Sequence, residues 1–451
     1  MSTPDEVRAE TVRMRGFIRA AETQATKVLA LVDALDAPTP PPVDPPVEPP
    51  PPPPAEPPVV TEGAAFIIGP QVPLGESPWP FMDDNQVAKA LPHADFALAA
   101  INGSDSDAAL NSVYYDLALC LYGLHARSGD NAHLTAARNV ADAWWRTMPA
   151  RVGWDKTNMF SVAPRNASLG GLILRALEGA GTEPLTFSTW VVSEGKPGPV
   201  QANLWEWITG YVREHWSVWL GTRLHYEGLW FGIRDGAYAL LYCAWLARVH
   251  PDAAVREEML GYVRQGAVDY YARLQAPDGG WYWDVWDDGV AASQPFMVGL
   301  LMEALAASHQ LTGDERVRTA IARGTDWLWE RAYDRSETTN LPGVHWRAMH
   351  YTVAKDIAQQ GYRGSAAEYG QADGAIRDAR QLNATTVHAF GLAYELTGDR
   401  RYVEQGDEIA AATFGKGSGP GADAYWGLAD YQAKQYCQSY RSAPQYLVYR
   451  A

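Results

Sequence analysis

The stretch from Leu229 to Trp286 reads LWFGIRDGAYALLYCAWLARVHPDAAVREEMLGYVRQGAVDYYARLQAPDGGWYWDVW. From Gly236 to Val249, apolar side chains fall on nearly every side of a helix, which is typical of a helix buried between other elements. Residues 252–274 are amphipathic instead, because charged side chains interrupt the apolar positions. A short turn at residues 250–252 joins the two runs. The stretch therefore predicts a hairpin of a buried inner helix and a half-exposed outer helix.

The same pairing of an apolar run with an amphipathic run recurs along the chain, at residues 111–145, 292–331 and 383–414. The turns between the paired runs share a Gly-Asp step, at Gly129–Asp130, Gly313–Asp314 and Gly398–Asp399. Glycine favours the left-handed conformation that ends a helix, and aspartate caps the N-terminus of the next helix. These turns therefore mark the boundary between the inner and the outer helix of each hairpin.

Two weaker hairpins complete the pattern. Residues 167–179 pair with residues 203–220, and residues 423–439 find a partner in residues 85–101. Repeated helical hairpins stack into a solenoid or close into a ring. Because the last inner run pairs with an early segment, the sequence predicts an all-α fold, an (α/α)6 toroid of helical hairpins. Residues 59–80 are expected to be irregular or strand-like.

Two further segments precede the toroid. In residues 1–36, apolar side chains alternate in steps of four and three, a heptad pattern that predicts a self-associating coiled coil. A single amphipathic helix docked on another surface is the alternative. Residues 37–58 hold 14 prolines and predict an extended polyproline II linker, with PxxP-mediated protein binding as a further option. The toroid head then spans residues 59–451.

The composition argues against several classes of function. The chain of 451 residues carries a net charge of −16, which disfavours nucleic acid as a partner. We find no apolar run long enough to cross a membrane and expect no secretory signal. Cys120, Cys243 and Cys437 each fall within an apolar helical run, so we expect buried free thiols. The sequence shows no motif for a cofactor or a metal, and we expect neither.

Long connections follow the outer helices, whereas the turns after the inner helices are short. Long loops in a compact domain are usually functional, and in a ring of hairpins they share one face. Their aromatic planes suit the apolar faces of sugar rings. The predicted substrate-binding residues are Trp154, Arg165, Tyr226, Glu227, Trp230, Trp281, Trp283, Trp286 and Tyr351. The alternative is that some of the tryptophans fill the centre of the ring.

A glycoside hydrolase needs two carboxyl groups, one as an acid and one as a base or nucleophile. Asp116 and Asp235 stand in matching contexts near the starts of inner helices. Asp284 lies between tryptophans, where an apolar surround is expected to raise the pKa of its carboxyl. These three are the predicted acids. The alternative is that Asp116 and Asp235 stabilise helix starts, or that Asp235 pairs with Arg234.

A polysaccharide lyase would use a different set of groups. It needs a base and an acid, such as a histidine and a tyrosine, and a cation or amide that neutralises a uronate carboxylate. His350 is a candidate catalytic residue for this chemistry, and Tyr351 and Arg165 are among the residues that could supply the other roles. Hydrolase and lyase chemistry both stay open at this point.

Three segments carry a resemblance: YYDLALCLYGLHARSGDNAHLTAARNVADAWW, HQLTGDERVRTAIARGTDWLWE and YELTGDRRYVEQGDEIAAA. Over residues 85–440, their inner helix, Gly-Asp turn and outer helix resemble the (α/α)6-toroid carbohydrate-active proteins, the six-hairpin glycosidases and their polysaccharide lyase relatives. The resemblance implies a cleft that binds or cleaves a glycan. No catalytic residue carries over, because no complete catalytic signature of these enzymes aligns.

The order of coiled coil, proline-rich linker and head resembles a phage tail or capsid appendage. That resemblance implies a glycan-active head on a virion surface, made in the host cytoplasm. Its partners would be a surface polysaccharide, other copies of the chain and other virion proteins. The alternatives are a non-catalytic structural or adhesive virion protein, such as a fibre or decoration protein, and a cytoplasmic location.

Overall fold

A computed structural model describes residues 61–152, 167–187, 200–220, 233–284, 291–334, 348–356, 380–414 and 433–450. These residues belong to one compact unit, Pro58–Ala451. The predicted coiled coil at residues 1–36 and the predicted linker at residues 37–58 lie outside the described residues, and both stay predictions.

Helices dominate the described part of the chain. Its first helices are α1 Glu62–Ile68, α2 Pro80–Asn102, α3 Ser106–Ser112, α4 Leu117–Ser128, α5 Asn131–Val152, α6 Leu169–Leu177 and α7 Leu204–Trp219. The later ones are α8 Ile233–Val249, α9 Ala253–Arg264, α10 Pro295–Thr312, α11 Glu315–Trp327, α12 Arg380–Thr397, α13 Arg401–Phe414 and α14 Ala433–Tyr440. Two π-helical turns, Gln265–Ala272 and Leu328–Ala332, extend α9 and α11, and a 3-10 helix, Ala443–Arg450, follows α14. The predicted all-α fold is therefore confirmed.

The inner helices are buried and the outer helices are amphipathic, as predicted. In α8, every residue from Asp235 to Leu246 is buried. In its outer partner α9, the buried residues are Val255, Met259 and Val263. Their spacing of four residues forms one apolar stripe, which is the stripe that faces the core. Each helix pair α4 and α5, α8 and α9, α10 and α11, and α12 and α13 is in contact.

The Gly-Asp turns have the predicted conformation. The glycines are left-handed, with φ of 67° at Gly129, 63° at Gly313 and 73° at Gly398. The aspartates accept a hydrogen bond from the backbone N–H two residues on, at 2.8 Å for Asp130, 2.9 Å for Asp314 and 3.0 Å for Asp399. Each turn therefore ends one helix and caps the next within three residues.

The inner helices contact one another in a fixed order. Helix α4 packs on α6, α6 on α8, α8 on α10, α10 on α12 and α12 on α14, and α14 packs in turn on α4. The early helix α2 also packs on α14, as predicted for residues 85–101. Asn85 donates to the hydroxyl of Tyr440 across 2.7 Å, and the hydroxyl of Tyr436 donates to the carbonyl of Gln86 across 3.2 Å. The succession of contacts thus returns to the helix where it begins.

Short antiparallel strands lie in the connections between hairpins. They are β1 Leu185–Phe187, β2 Val200–Ala202, β3 Trp283–Asp284, β4 Ala291–Ser293, β5 Tyr333–Asp334, β6 Ala348–Met349 and β7 Val353–Ala354. The pairs are β1 with β2 and β5 with β6, and β4 lies between β3 and β7. Strand β4 comes before α10, and Gly313 ends α10. The sheet and the Gly-Asp turn therefore lie at opposite ends of this 18-residue helix. At 1.5 Å per residue, those ends are about 27 Å apart.

The expectation of irregular or strand-like structure is wrong for residues 62–68, which form helix α1. The hydroxyl of Thr61 caps this helix by accepting from the N–H of Ala64 at 3.2 Å, and Ile67 and Ile68 are buried. The helix packs against α6 and α8. With two turns, α1 is too short for a helical period to show in the sequence.

Candidate functional site

Asp116 caps the N-terminus of α4 and also holds the start of the neighbouring helix α6. Its Oδ1 accepts from the N–H of Leu119 at 3.1 Å and from the Ser168 hydroxyl at 2.9 Å. Its Oδ2 accepts from the N–H of Gly170 at 2.6 Å, and the N–H of Gly171 donates to Oδ1 at 3.3 Å. A Cβ at Gly170 would lie 2.8 Å from Oδ2, so only glycine allows this approach. The carboxylate therefore ties together the first turns of two inner helices.

The backbone around this carboxylate is strained. In the described part of the chain, the non-glycine residues with positive φ are Tyr115 at 65°, Asp116 at 71° and Ser168 at 52°. Such conformations cost roughly 1–3 kcal/mol each and persist where the surrounding contacts hold them. The pKa of Asp116 is raised, because the effect of burial exceeds the opposing effects of the hydrogen bond from Leu119 and the charge of Arg441. The hydrogen bonds fit the alternative role of Asp116, which is stabilisation of helix starts.

Asp235, the other predicted acid at an inner-helix start, is buried in the first turn of α8. The guanidinium of Arg234 lies 3.6 Å from its Oδ2 and donates to the hydroxyl of Tyr114 across 3.1 Å. The ammonium of Lys434 stands 4.9 Å from the centre of the Tyr114 ring, a cation–π contact. We call Tyr114, Arg234, Asp235 and Lys434 the tyrosine–cation cluster. It joins the starts of α8 and α14 to the segment before α4.

A second charged cluster lies among the inner helices. Arg441, directly after α14, donates to the Tyr238 hydroxyl across 2.8 Å and to Oε1 of Glu303 across 3.1 Å. The Arg441 side chain is 3% exposed and the Glu303 side chain 12%. His388 on α12 is buried and lies within the electrostatic influence of Arg441. We call Tyr238, Glu303, His388 and Arg441 the arginine cluster.

The titratable groups of the arginine cluster have shifted pKa values, a feature of functional sites and also of structural ion-pair networks. Burial raises the pKa of the Glu303 carboxyl, and the charge of Arg441 acts in the opposite direction. Burial and the charge of Arg441 lower the pKa of His388 to about 3, so this histidine is neutral at physiological pH. Burial lowers the pKa of Arg441, but the negative charge of Glu303 contributes to a net rise. The cluster thus combines a fixed cation, a neutral imidazole and a carboxyl whose pKa lies above its usual value.

The arginine cluster contains buried polar atoms that have no hydrogen-bond partner among the residues that the structure describes. Nε of Arg441 and Oε2 of Glu303 are among them. Buried polar groups are nearly always hydrogen-bonded, because an unpaired one costs about 1–3 kcal/mol. These atoms are therefore suited to bind polar groups of a ligand or water.

Tyrosine rings connect the two clusters. The rings of Tyr114 and Tyr115 are 4.5 Å apart, and the ring of Tyr115 lies 6.4 Å from that of Tyr238. Asp116 follows Tyr115 in the chain, and Asp235 precedes Tyr238 by nearly one turn of α8. The structure thus brings the predicted residues Asp116 and Asp235 to one region, the starts of the inner helices, with the arginine cluster next to it.

The predicted residues Trp281, Trp283 and Asp284 lie near the start of α10. Trp281 is fully buried and its indole N–H donates to the carbonyl of Tyr271 across 2.9 Å, so it packs in the core. Trp283 is also buried, on β3, and the backbone of Asp284 pairs with Ala291. A buried indole cannot present its face to a sugar unless it moves. The described positions of both tryptophans fit the alternative foreseen for them, which is filling the interior.

His350 and Tyr351 are partly exposed and directly follow β6. The backbone N–H of His350 donates to the carbonyl of Ala332 across 2.8 Å, and the ring of Tyr351 lies 5.5 Å from that of Phe296 on α10. Both residues therefore lie at the end of the hairpins where α10 begins. The remaining predicted residues lie outside the described part of the chain: Trp154, Arg165, Tyr226, Glu227, Trp230 and Trp286.

The sequence alone did not point to Tyr238, Glu303, His388 or Arg441. For two of them a signal exists, because Glu303 and His388 are single titratable residues within the apolar runs MVGLLMEALAA and NATTVHAFGLA. A buried charge is costly unless it is paired, so such a residue predicts a partner on a neighbouring inner helix. Arg441 has no comparable signal, since only the packing of α14 brings it among the inner helices.

A groove of about 590 Å³ lies at the other end of the hairpins, near the ends of α6 and α8. Its lining includes Thr209, Arg213 and His250. These side chains are satisfied within the protein: the Thr209 hydroxyl lies 3.0 Å from Nε2 of His250, and Arg213 pairs with Glu258 at 2.6 Å. The groove therefore offers a ligand fewer unsatisfied polar groups than the arginine cluster does.

No protein-family model and no curated protein matches the chain. None of the helices in the described ranges is long and apolar enough to cross a membrane. Among the same residues, no group of three or more His, Cys, Asp and Glu side chains is placed to hold a metal ion. The two clusters and their position in the fold are therefore the features that bear on function.

Proposed function

We propose that residues 59–451 form an (α/α)6 toroid whose inner-helix starts surround a cleft that binds a surface polysaccharide. The order of helix contacts from α4 to α14 and back to α4 supports the toroid, and so does the packing of α2 on α14. In a toroid the starts of the six inner helices face one opening. The tyrosine–cation cluster then lies at that opening and the arginine cluster lies below it.

The observation that carries the glycan proposal is the tyrosine–cation cluster next to the arginine cluster. Sugars offer hydroxyl groups to charged side chains and apolar ring faces to aromatic planes. Arg234 and Lys434 place two positive charges against Tyr114, in a chain whose net charge is −16. Guanidinium and ammonium groups bind carboxylates strongly. The cluster therefore favours an acidic polysaccharide, such as one with uronate groups, over a neutral one.

Cleavage of the bound glycan would need a proton donor, and Glu303 fits that role. Burial raises the pKa of its carboxyl, which favours the role of a general acid, whereas the charge of Arg441 acts in the opposite direction. Asp235, at the start of α8, is the second carboxyl in the same region. Asp116 fits less well, because donors from four residues already occupy its oxygens.

The toroid would be the head of a phage virion appendage. In this proposal residues 1–36 associate chains, residues 37–58 space the head from that base, and the polysaccharide coats the host cell. The order of the three segments in the sequence supports this part of the proposal. Other virion proteins would hold the base.

A binding assay with acidic and neutral polysaccharides tests the site, and release of reducing ends or unsaturated products tests for cleavage. Lys434→Ala should weaken binding of an acidic polysaccharide roughly fivefold to tenfold, since it removes a cation that contacts Tyr114. Arg400→Ala is the matched control, because it removes one positive charge from an exposed turn at the other end of a hairpin. If both variants bind as the parent does, the site lies elsewhere.

A non-catalytic structural or adhesive virion protein is the second candidate. It is favoured by the capping role of Asp116 and the pairing of Asp235 with Arg234, since both acids then serve the fold. Binding without any release of products in the assay supports the adhesive protein. A failure to bind any acidic or neutral polysaccharide contradicts both glycan functions and supports a structural role.

A further inference from the structure

Two buried cysteines meet where the first inner helix packs on the last. Cys120 lies on α4 and Cys437 on α14, and these helices are in contact. Both residues are buried as free thiols. Cys120 contributes directly to the raised pKa of the Cys437 thiol, so the two side chains lie close to each other where these helices pack. The third cysteine, Cys243, is buried on α8.

We propose that Cys120 and Cys437 are a modification site, a thiol pair that oxidises to an intramolecular disulfide between the first and last inner helices. The reaction joins the two sulfur atoms and removes two protons and two electrons. Oxidised glutathione accepts them: a thiolate attacks its disulfide, one reduced glutathione leaves, the second thiolate displaces the other, and two reduced molecules result. The disulfide closes a loop that contains the inner helices from α6 to α12.

The reduced pair is protected in the folded head. Burial raises the pKa of the Cys437 thiol, and the neighbouring Cys120 acts in the same direction. Since the thiolate is the reactive form, the folded dithiol reacts slowly at neutral pH. Oxidation therefore takes place during folding, or when α14 opens away from α4. A reducing cytoplasm keeps the pair reduced, whereas an oxidising exterior lets the disulfide persist.

The disulfide stabilises the head because it constrains the unfolded chain. Such constraint grows with the length of the closed loop, and this loop includes most of the head. The modification does not depend on glycan binding, since neither cysteine belongs to the tyrosine–cation cluster or the arginine cluster. It depends on the contact between α4 and α14, so its formation also tests whether the ring of helices is closed.

Refolding the reduced full chain in a glutathione redox buffer tests the proposal, because both thiols are accessible to the reagent before the fold forms. The expected product has one free thiol, at Cys243, and a cross-linked peptide that contains Cys120 and Cys437 in a mass-spectrometric map. The mass of the oxidised protein is lower than that of the reduced protein by two hydrogens, and its melting temperature is higher. Dithiothreitol should reverse both changes.

Two variants serve as controls. Cys243→Ser should leave the cross-link and the rise in melting temperature intact, whereas Cys437→Ser should abolish both. Three free thiols in the refolded protein, or cross-links that involve Cys243, overturn the proposal. If the chain does not refold, the protein is incubated with diamide, a disulfide-forming oxidant, at alkaline pH and at a urea concentration that opens the contact between α14 and α4, and it is mapped in the same way. Absence of the Cys120–Cys437 peptide there also overturns it, whatever the outcome of the glycan assays.

Discussion

The guanidinium of Arg441 donates a hydrogen bond to the carboxylate of Glu303 across 3.1 Å, between the end of α14 and the middle of α10. Both side chains are largely removed from solvent, so neither charge is stabilised by bulk water. The Tyr238 hydroxyl accepts a second hydrogen bond from Arg441. The pair therefore couples three inner helices, α8, α10 and α14, through one guanidinium.

Removal of one partner of this ion pair should lower the free energy of unfolding more than removal of both partners does. Glu303→Ala leaves the charge of Arg441 buried and uncompensated, so we expect a loss of about 3–5 kcal/mol in the free energy of unfolding. The double variant Glu303→Leu with Arg441→Met replaces the pair by apolar groups, and we expect it to be more stable than Glu303→Ala. Urea unfolding of the three proteins measures this. A double variant less stable than the single one contradicts the prediction.

His388 should make the stability depend on pH. Its pKa is near 6.5 in the unfolded chain, and burial with the charge of Arg441 lowers it to about 3 in the folded protein. Between these pH values only the unfolded chain binds the proton. The contribution of neutral His388 to the free energy of unfolding is therefore complete above pH 6.5 and is lost as the pH falls toward 3. When the pH falls from about 7 to about 4.5, the free energy of unfolding of the parent decreases. We expect that of His388→Gln to decrease by about 2 kcal/mol less. Equal losses in urea unfolding at the two pH values would rule this out.

The helical hairpins could be predicted from the sequence because their signals are local. A glycine that ends a helix and an aspartate that caps the next one act within a few residues, and Gly313 and Asp314 show the expected φ and hydrogen bond. The alternation of buried and half-exposed helices is also visible in the spacing of apolar residues. Local physics of this kind needs no knowledge of distant contacts.

The candidate site could not be predicted in the same way. Arg441 bonds to Tyr238, which lies 203 positions earlier in the chain, and no local pattern announces such a contact. The sequence predicts Trp281 at a sugar-binding face, but its ring packs beside Gly324 on α11. A Cβ on Gly324 would lie 2.8 Å from that ring. Whether a loop tryptophan is exposed or buried thus depends on a glycine in another helix.

Asp116 should matter more to stability than an aspartate that caps a single helix. Asp116→Ala removes the acceptor oxygens that bind Ser168, Gly170 and Leu119. We expect it to lower the free energy of unfolding by about 3–5 kcal/mol. Asp116→Asn keeps one acceptor oxygen, and asparagine tolerates the positive φ, so the loss should be smaller. Asp314→Ala, which removes a half-buried aspartate that caps a single helix, is the control and should lower the free energy of unfolding by about 1 kcal/mol. Similar losses for Asp116→Ala and Asp314→Ala would contradict the two-helix role.

Residues 1–36 should cause the chain to self-associate, since their apolar side chains follow a heptad pattern ahead of the proline-rich linker. We expect light scattering to give the full chain a mass that is a multiple of 49.5 kDa, the mass of one chain. A chain that begins at Val59 should be monomeric. If the full chain is also monomeric at high concentration, the coiled-coil prediction is wrong.

Gly299 and Gly123 offer a matched test of how closely the inner helices pack. A Cβ at Gly299, on α10, would lie well under 3.0 Å from the backbone carbonyl oxygen of Thr385 on α12, and a backbone atom in a packed helix cannot move aside cheaply. At Gly123, on α4, a Cβ would meet nothing within 4 Å. Both glycines lie within helices, so alanine gains about 1 kcal/mol of helix propensity at either position.

The difference between the two variants therefore reports the helix contact. We expect Gly123→Ala to raise the free energy of unfolding by up to about 1 kcal/mol, and Gly299→Ala to lower it by about 1–3 kcal/mol, because overpacking exceeds the propensity gain. Urea unfolding, with circular dichroism at the helical band, measures both values. If Gly299→Ala is as stable as Gly123→Ala, α10 and α12 do not approach as closely as the structure has them. The order of inner-helix contacts on which the toroid rests would then lose one of its steps.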